Sequence, residues 1–456
     1  MIQARPAIIT LFLLGWFPPA ATADEWLGPP APGAVYPAGE ADRQFAVLEH
    51  DLGRRGHFAK VAAESFRAEA LILASDRDPL DVLLRRTEAL LEDIVTLPGA
   101  PALAAERTAL GQLRDRERRL EVAAAAERRA LFNEVLLVRR RVAFANPVLA
   151  GSGLLLVKRQ LAALFPHMCD QFYGLAQEPG GGIFVLEQPF AARPRLRSLL
   201  AESVVENGRL KGETLSGGPR RRWALRYDGN GRMTGEDTEG GSFATPALSF
   251  DGQRLAFAYV ECRGRPTHEF HLEPQVRGYW DHGRAYHIFS VGLDGTGLTM
   301  LTDGGWNDFS PCWTPAGRLA FISERRGGYL RCGRVCPNYT LYDMAADGSG
   351  IRPLSHHDTN EWAPAIAHDG RIAWTRWDYV DRDAEVAHHP WTTTPDGRDA
   401  RSMHGNYSPR AARADMETDL QPIPGSRRFI GTAAPHHGQS FGSLVVIDPG
   451  TPDDDR

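Results

Sequence analysis

The sequence has no excess of positive charge and no long apolar run. Its 52 Lys and Arg residues are outnumbered by 57 Asp and Glu residues, which gives a formal net charge of −5. Nucleic acids and anionic membrane surfaces attract proteins with a basic excess, so we expect neither as a partner. No segment reaches the roughly 18 consecutive apolar residues of a transmembrane helix. The composition therefore predicts a protein without a transmembrane segment.

Cysteine is also scarce, and the motifs of several enzyme classes are missing. The chain has five cysteines, and none is followed by histidine, so the sequence contains no CxxCH site for a c-type haem. A nucleophile elbow, a phosphate-binding loop and a dinucleotide fingerprint are likewise missing from any strand-to-helix context. These absences disfavour the common hydrolases and the nucleotide-dependent enzymes.

The N-terminus predicts export. Arg5 precedes an apolar stretch over residues 7–17, and the Ala-Thr-Ala triplet at residues 21–23 is the small-x-small pattern that signal peptidase recognises. About 11 apolar residues are too few to cross a hydrocarbon core of about 30 Å. We therefore predict a signal peptide over residues 1–23, a linker over residues 24–39, and a periplasmic or secreted mature protein.

Residues 40–146 have the composition and spacing of helices. Ala, Leu, Arg and Glu dominate, and apolar residues recur at three- and four-residue intervals. Asp78 and Pro79 are typical of a helix start and predict a helix over residues 80–94. After the helix-breaking string LPGAP, the pattern predicts one longer helix over residues 102–142. We expect a helical hairpin or small bundle here, without a catalytic role.

Residues 147–456 change to short β-like runs, and a long repeat appears among them. One copy begins YHIFSVGLDGTGLTMLT and the next begins YTLYDMAADGSGIRPLS, and their second halves contain PAGRLAFIS and HDGRIAWTR. Asp-Gly turns recur at Asp294, Asp347 and Asp396, about fifty residues apart, which suits propeller blades with long loops. Asp-Gly permits the tight turns of β-hairpins. The repeat predicts a mainly β protein, a β-propeller with about four visible blades.

The repeats resemble those of TolB-type six-bladed propellers, and longer strings resemble a narrower family. The strings CDQFYG, GGGIFVLE, SHHDTNEWAPAIAHDGRIAWTRWDYVDR and TAAPHHGQSFGSLVVIDP are similar to exported proteins related to the middle domain of the hydrazine synthase alpha subunit. The resemblance covers roughly residues 76–456. It implies a six-bladed propeller in a periplasmic or secreted protein.

Two departures from that family limit what the resemblance implies. Hydrazine synthase chemistry depends on haem groups attached through CxxCH, and this sequence has no such motif, so we do not expect that activity. Relatives continue past the acidic stretch at which this chain stops, DPGTPDDDR. The propeller is therefore expected to be incomplete at its C-terminus, as a truncated chain or as one that closes by pairing with another chain.

Histidines and acids in the repeat are the candidate metal ligands. His356, His357, Asp358 and Glu361 lie together in the loop before a blade strand. Neutral imidazoles and carboxylates suit zinc or iron. Further loop histidines that could converge with them are His389, His436 and His437. The alternative is that these side chains hydrogen-bond neighbouring turns.

Two cysteines form a CxxxC string in a loop. Cys332 and Cys336 are expected to form a disulfide outside the cytoplasm, or to bind a metal with a nearby histidine. Cys169 is a possible third member of this group. No local base that would activate the Cys169 thiol is visible in the sequence.

Three hypotheses for function follow. The first is a binding or scaffold propeller whose partner is another protein, because the repeat is strong and a catalytic signature is lacking. The second is a metal-dependent subunit of a redox complex, with its histidines at one propeller mouth and zinc or iron as the cofactor. The third is a decayed copy without a stable fold. Under the first hypothesis the chain is not a stand-alone enzyme. Under the second hypothesis it is a subunit of a metal-dependent oxidoreductase.

Overall fold

The computed structural model describes most of the chain. The residues described are 9–12, 38–62, 65, 67–149, 153–160, 168–174, 177–189, 194–218, 225–227, 233–235, 239–262, 284–328, 337–380, 384–405, 414–436 and 442–451. Two compact units are present, one centred on Phe17–Leu154 and the other made chiefly of Leu155–Val185 and Arg197–Arg456.

The first unit is helical. Its α-helices are α1 (Ala38–Gly53), α2 (Arg55–Val61), α3 (Pro79–Val95), α4 (Ala104–Arg119) and α5 (Ala125–Phe144). Helix α3 begins where the sequence predicts, because the Asp78 side chain accepts a hydrogen bond from the Asp81 backbone N–H at 3.1 Å and Pro79 occupies the first turn. Within the described ranges, no helix combines the length and the apolar character needed to cross a membrane.

The prediction of one long helix over residues 102–142 is wrong. Helices α4 and α5 are separate, and Leu110 of α4 and Val135 of α5 are buried in the same apolar core. A single straight helix of that length would hold these side chains far apart. Arg128 Nη1 donates to the Leu120 carbonyl at 3.3 Å, which satisfies one of the open carbonyls at the end of α4. The break contains no Gly or Pro, so the sequence gives no local sign of it.

A buried ionic cluster fixes helices α3, α4 and α5. The Arg128 side chain is 2% exposed and forms ion pairs with Asp78, Asp81 and Glu117. Burial by itself raises the pKa of Asp81, but hydrogen bonds and charge from Arg77 and Arg128 outweigh burial and hold this pKa at about 2. The cluster is therefore charged in the folded bundle, and it joins three helices at one point.

Most of the remaining described chain is β-structure, divided here into sheets 1 to 5 in chain order, of which sheets 4 and 5 are two parts of one seven-stranded sheet. The strands of sheet 1 are Ile9–Phe12, Leu154–Lys158, Gly182–Glu187 and Arg195–Ser198. Those of sheet 2 are Gly241–Leu248, Arg254–Glu261, His287–Gly292 and Thr299–Met300. Those of sheet 3 are Asp308–Trp313, Leu319–Ser323, Thr340–Met344 and Arg352–Pro353. Those of sheet 4 are Glu361–Ile366, Ile372–Val380, Ala384–Thr393 and Arg401–Ser402. Those of sheet 5 are Met416–Pro422, Phe429–Ala434 and Ser443–Ile447.

Two further strands, Leu225–Tyr227 and Met233–Gly235, form a separate hairpin. Sheets 2 to 5 are antiparallel meanders, and sheets 4 and 5 are joined through one parallel pair, His388 with Met416. The architecture is therefore mainly β, with several antiparallel sheets in sequence.

The same irregularity marks the first strand of sheets 2 to 5. Each first strand has a register shift, and one residue beside the shift has a left-handed backbone conformation. These residues are Thr245, Ser310, Ala363 and Asp419, with φ of 45°, 49°, 48° and 54°. A strained non-glycine residue at the same place in four sheets is a feature of a repeat and not of chance. Since the first strands of neighbouring sheets also contact one another, the arrangement is of propeller type.

The Asp-Gly turns hold each sheet against the one before it. Gly348 of sheet 3 has φ of +85°, and a Cβ there would lie 2.3 Å from the Leu301 carbonyl oxygen at the end of sheet 2. Gly397 of sheet 4 repeats this contact with the Leu354 carbonyl oxygen at 2.6 Å. The turns therefore require glycine both for the backbone conformation and for the close approach.

Replacing Gly348 with alanine should destabilise the sheets far more than replacing Gly350. Both glycines have positive φ, but a Cβ on Gly350 meets no atom within 4 Å. Each substitution costs about 1 kcal/mol in backbone strain, and Gly348→Ala should cost about 2 kcal/mol more because the Leu301 backbone must move. Urea unfolding of both variants measures the difference, and equal free energies of unfolding would contradict the contact.

Candidate functional site

The loop that the sequence nominates as a metal site is a hydrogen-bonded corner of the fold. Glu361 is fully buried. Its Oε1 lies 2.6 Å from His357 Nε2, and its Oε2 accepts hydrogen bonds from the Ser355 hydroxyl at 2.5 Å and the Leu341 backbone N–H at 2.7 Å. The other ring nitrogen of His357 lies 2.7 Å from the Thr359 hydroxyl. Both oxygens of Glu361 and both nitrogens of His357 therefore have protein partners.

A second acid–histidine group lies between sheets 4 and 5. Glu417 Oε2 is 3.3 Å from His389 Nδ1, and Glu417 Oε1 is 3.3 Å from His404 Nε2. His389 is fully buried and Glu417 is nearly so. Burial by itself raises the pKa of Glu417, but hydrogen bonds from the two histidines outweigh burial and bring the pKa to about 2.

The acids of these two groups occupy one repeated position. Glu361 lies two residues before Ala363, and Glu417 lies two residues before Asp419, the left-handed residues of their first strands. The equivalent residue of sheet 3 is Asp308, which is fully buried and bound by the Ser323 hydroxyl at 2.6 Å and by Arg325 at 2.7 Å. The position therefore carries a buried acid with a local polar partner in three successive sheets. A structural role explains all three acids.

The asparagines that precede two of these acids, Asn307 before Asp308 and Asn360 before Glu361, connect neighbouring sheets. The Tyr286 N–H donates to Asn307 Oδ1 at 2.9 Å, and the Tyr339 N–H donates to Asn360 Oδ1 at 2.9 Å. The residue after each asparagine returns a hydrogen bond to the same tyrosine. The Asp308 N–H donates to the Tyr286 carbonyl at 2.8 Å, and the Glu361 N–H donates to the Tyr339 carbonyl at 2.9 Å. We call this two-way connection the Asn–acid clamp. It joins the start of the first strand of sheets 3 and 4 to the start of the third strand of the sheet before.

The clamp in sheet 3 includes a carboxyl group with an unusual acidity. Asn307 donates to Glu324 through its side chain at 2.9 Å and through its backbone at 3.1 Å. Burial raises the pKa of Glu324 to about 8, so this group is mostly protonated at neutral pH. A neutral acid beside Asp308 avoids placing two buried negative charges together.

The string CDQFYG, one of those that carry the family resemblance, is a packing element. Phe172 stacks on Phe309 with ring centroids 4.4 Å apart, and the Gly174 N–H donates to Asn307 Oδ1 at 3.0 Å. A Cβ on Gly174 would lie 1.8 Å from the Arg284 carbonyl oxygen. This segment therefore fits closely against sheets 2 and 3, which accounts for its glycine.

Two histidines in an aromatic cluster form a third polar group. His388 Nε2 lies 3.0 Å from His436 Nδ1. The His388 ring stacks on Trp377 and on Trp362, with centroid distances of 4.6 and 5.4 Å. Because His388 and His389 are adjacent on one strand, their side chains point to opposite faces. His388 and His389 therefore cannot both contribute to one site.

The predicted ligands do not converge in the described part of the chain. No group of three or more His, Cys, Asp or Glu side chains there has the arrangement of a metal site. His356 is exposed and Asp358 is half-buried. His437, Cys332 and Cys336 lie outside the described residues, as does the side chain of Cys169.

An open apolar depression lies at the far end of the first strands, where the sequence predicted no site. Its volume is about 280 Å³. The residues that line it are Phe250, Pro315, Ile366, Ala367, His368, Gly370, Pro422, Ile423 and Pro424. Phe250, Pro315, His368 and Pro424 hold the same position, the first residue of the turn after the first strand, in sheets 2 to 5. The only signal in the sequence was the PAGR and HDGR turn pattern, whose convergence depends on how the sheets pack.

Comparisons with known proteins find low-scoring structural likenesses only. No protein-family model and no curated protein matches the sequence. Similar solved structures include a TolB from Agrobacterium tumefaciens, with 16% identity, a TM-score of 0.28, and coverage of 49% of this chain and 56% of that one. Hydrazine synthase of Kuenenia stuttgartiensis has 14% identity, a TM-score of 0.40, and coverage of 60% and 35%. Oligogalacturonate lyase of Vibrio parahaemolyticus has 12% identity, a TM-score of 0.33, and coverage of 65% and 76%.

This chain thus spans about half of the TolB chain and about a third of the hydrazine synthase chain. All three TM-scores are below 0.5, so the likeness carries no conclusion about this chain. Membership of the hydrazine synthase family, which the sequence strings suggested, is not established by it.

Glu417 should make the fold sensitive to acid. Its pKa is about 2 in the folded chain against an ordinary value of 4.5, so the stability it contributes is present above pH 4.5 and is lost as pH falls towards 2. The loss should be on the order of 3 kcal/mol. Glu417→Gln should remove this part of the slope, as measured by urea unfolding between pH 2 and 6.

The matched control is Glu92→Gln, because Glu92 forms an exposed ion pair with Arg107 and should contribute little. A Glu417→Gln variant that keeps the pH dependence of the parent would show that Glu417 does not titrate as its surroundings require.

Proposed function

We propose that the chain is an exported propeller-type binding module that recognises another protein through the apolar depression at its turns. The observation that carries this proposal is that one repeated turn position from four sheets supplies residues to one open depression, whereas the buried acids and their partners are engaged in holding the sheets together. Open concave apolar surfaces are typical of recognition sites.

The lining of the depression indicates the kind of ligand. Apart from His368 its side chains are apolar, and three of them are prolines. Phe250 is 60% exposed. A partner that covers its ring would gain the free energy of removing that apolar surface from water. An aliphatic or aromatic side chain on the surface of a partner protein fits these walls, and the rigid prolines lose little conformational entropy when it binds.

Export of the chain is part of the proposal. It is supported by Arg5, the apolar stretch over residues 7–17 and the Ala-Thr-Ala triplet that ends at Ala23. Mass spectrometry of the mature protein would identify Asp24 as its first residue, and an uncleaved N-terminus would count against a signal peptide.

Phe250→Glu should weaken binding at the depression. Peptides selected from a displayed library on the mature chain should carry an aromatic or aliphatic anchor, and their affinity should fall at least about tenfold for Phe250→Glu, which is about 1.4 kcal/mol. The matched control is Val204→Glu, because Val204 is also exposed, at 46%, and does not line the depression. Selected peptides that bind both variants like the parent would show that recognition takes place elsewhere.

A second candidate function is a metal-dependent subunit of a redox complex, and the His388–His436 pair favours it. Two nitrogens bound to one tetrahedral metal lie about 3.3 Å apart when each metal–nitrogen bond is 2.0–2.1 Å. The His388 and His436 nitrogens are 3.0 Å apart. These two imidazoles would hold zinc or iron, and the residues described around them supply no third histidine or carboxylate in metal-site geometry.

Zinc titration separates this second function from the first. Calorimetry should show binding near one equivalent that is lost, or weakened at least about tenfold, in His436→Ala. His50→Ala is the matched control, because His50 is an exposed histidine on α1. Identical zinc binding by the parent and His436→Ala, or none by either, would count against a site at this pair.

A further inference from the structure

Sheet 2 holds two buried hydroxyl groups that have no hydrogen-bond partner among the described residues, those of Ser242 and Tyr286. Both residues are 0% exposed. Ser242 pairs with Val260, and the pairing of Tyr259 with His287 places Tyr286 opposite Val260. Ser242 and Tyr286 therefore lie in one row across the sheet, with their side chains on the same face.

The CDQFYG segment and the residues after it fix this row in place. The Gly174 N–H and the Tyr286 N–H donate to one atom, Asn307 Oδ1, at 3.0 and 2.9 Å. Gly180 forms a parallel bridge with Ser242. Because the backbone is held at both positions, neither hydroxyl group can move to the surface. Buried polar groups of native proteins nearly always have a partner, which is a ligand or an ordered water where the protein offers none.

Arg159 brings a positive charge to the same segment. It is half-buried and directly follows the strand Leu154–Lys158 of sheet 1. Its Nη1 donates to the Gln171 carbonyl at 3.4 Å, and its guanidinium lies 5.9 Å from the centroid of the Phe172 ring. These are the hydrogen bond and the ring contact of Arg159 within the described ranges, and neither involves a carboxylate. The guanidinium therefore has donors left for an anion.

The guanidinium and the two hydroxyl groups are neighbours. Burial raises the pKa of Tyr286 to about 12, and the positive charge of Arg159 is the strongest of the effects that oppose this rise. The Ser242 hydroxyl opposes it as well. Because such effects weaken with distance, both groups must lie close to the phenol oxygen, although neither forms a hydrogen bond of standard geometry with it. A cation and two hydroxyl donors thus surround one place in the fold.

We propose that Arg159, Ser242 and Tyr286 bind the carboxylate group of a small organic acid. The planar guanidinium offers parallel N–H groups that match the two oxygens of a carboxylate. The two hydroxyl groups donate to the remaining lone pairs of those oxygens. One guanidinium balances one negative charge, so a monocarboxylate suits this buried place better than a phosphate dianion. The half-buried Arg159 is the side from which the acid enters, and the two hydroxyl groups form the floor.

Urea unfolding with acetate as the probe tests the site. A ligand that binds only the folded chain raises the equilibrium constant for folding. At about 100 mM acetate this constant should rise at least about tenfold, or about 1.4 kcal/mol, above its value in sodium chloride of the same ionic strength. Tryptophan fluorescence follows the β-structure, because residues 38–149 contain no tryptophan.

Tyr286→Phe and Arg159→Gln should both lose the response to acetate. Tyr286→Phe keeps the ring and removes only the hydroxyl, so in chloride alone it should be at least as stable as the parent, since it removes a buried polar group that the protein leaves without a partner. The matched control is Tyr342→Phe. Tyr342 is also a buried tyrosine, but it packs in a different apolar cluster from Tyr286, so this variant should respond to acetate as the parent does.

The proton NMR signal of the acetate methyl group gives a readout that does not depend on stability. It should broaden in the presence of the parent and of Tyr342→Phe, and it should stay narrow with Tyr286→Phe. Equal responses to acetate in the parent and Tyr286→Phe, or a parent that responds to acetate no more than to chloride, would overturn the proposal and leave ordered water as the partner of the two hydroxyl groups. A Tyr286→Phe variant that is less stable than the parent in chloride alone would also count against it, because the hydroxyl would then be engaged without an acid.

Discussion

Sheets 2, 3 and 4 are joined by one repeated connection, the Asn–acid clamp. An asparagine side chain accepts the backbone N–H of a tyrosine in the preceding sheet, and the next residue returns a hydrogen bond to the carbonyl of that tyrosine. Both backbone groups are buried, so leaving them without partners would cost about 1–3 kcal/mol each. The clamp therefore fixes both the contact and the register between sheets. Because the backbone of the acid is part of the clamp, its carboxylate is buried as well and needs a polar partner of its own.

This requirement explains why Glu361, Glu417 and the histidines bound to them are poor candidates for chemistry. Glu361 uses both of its oxygens on neighbours from the preceding sheet and loop, and Glu417 uses both of its oxygens on two histidines. A carboxylate engaged in this way has few lone pairs left for a metal or a substrate. Solvent-facing residues at the turns do not hold the sheets together, so their side chains are available to bind a partner.

The sequence predicted the local features of the fold and missed those set by packing. The Asp-Gly turns, the start of α3 and the repeated sheets were visible because each depends on neighbours along the chain. The break between α4 and α5 was not visible, because it depends on Arg128 reaching residues of two other helices. The histidines were grouped by sequence proximity, yet strand alternation sends His388 to an aromatic cluster and His389 to Glu417.

The register of a repeated sheet determines which side chains share a face, but not what covers that face. Sheets 2 and 3 bury Ile288 and Leu341 at one equivalent position, whereas the equivalent residue of sheet 5, Leu444, is exposed. Glu417 and Leu444 lie on opposite faces of sheet 5, because strand pairing fixes both positions. In sheet 3 the same register buries both equivalent residues, Asp308 and Leu341, so the exposure of Leu444 depends on what packs beside the sheet and not on its register.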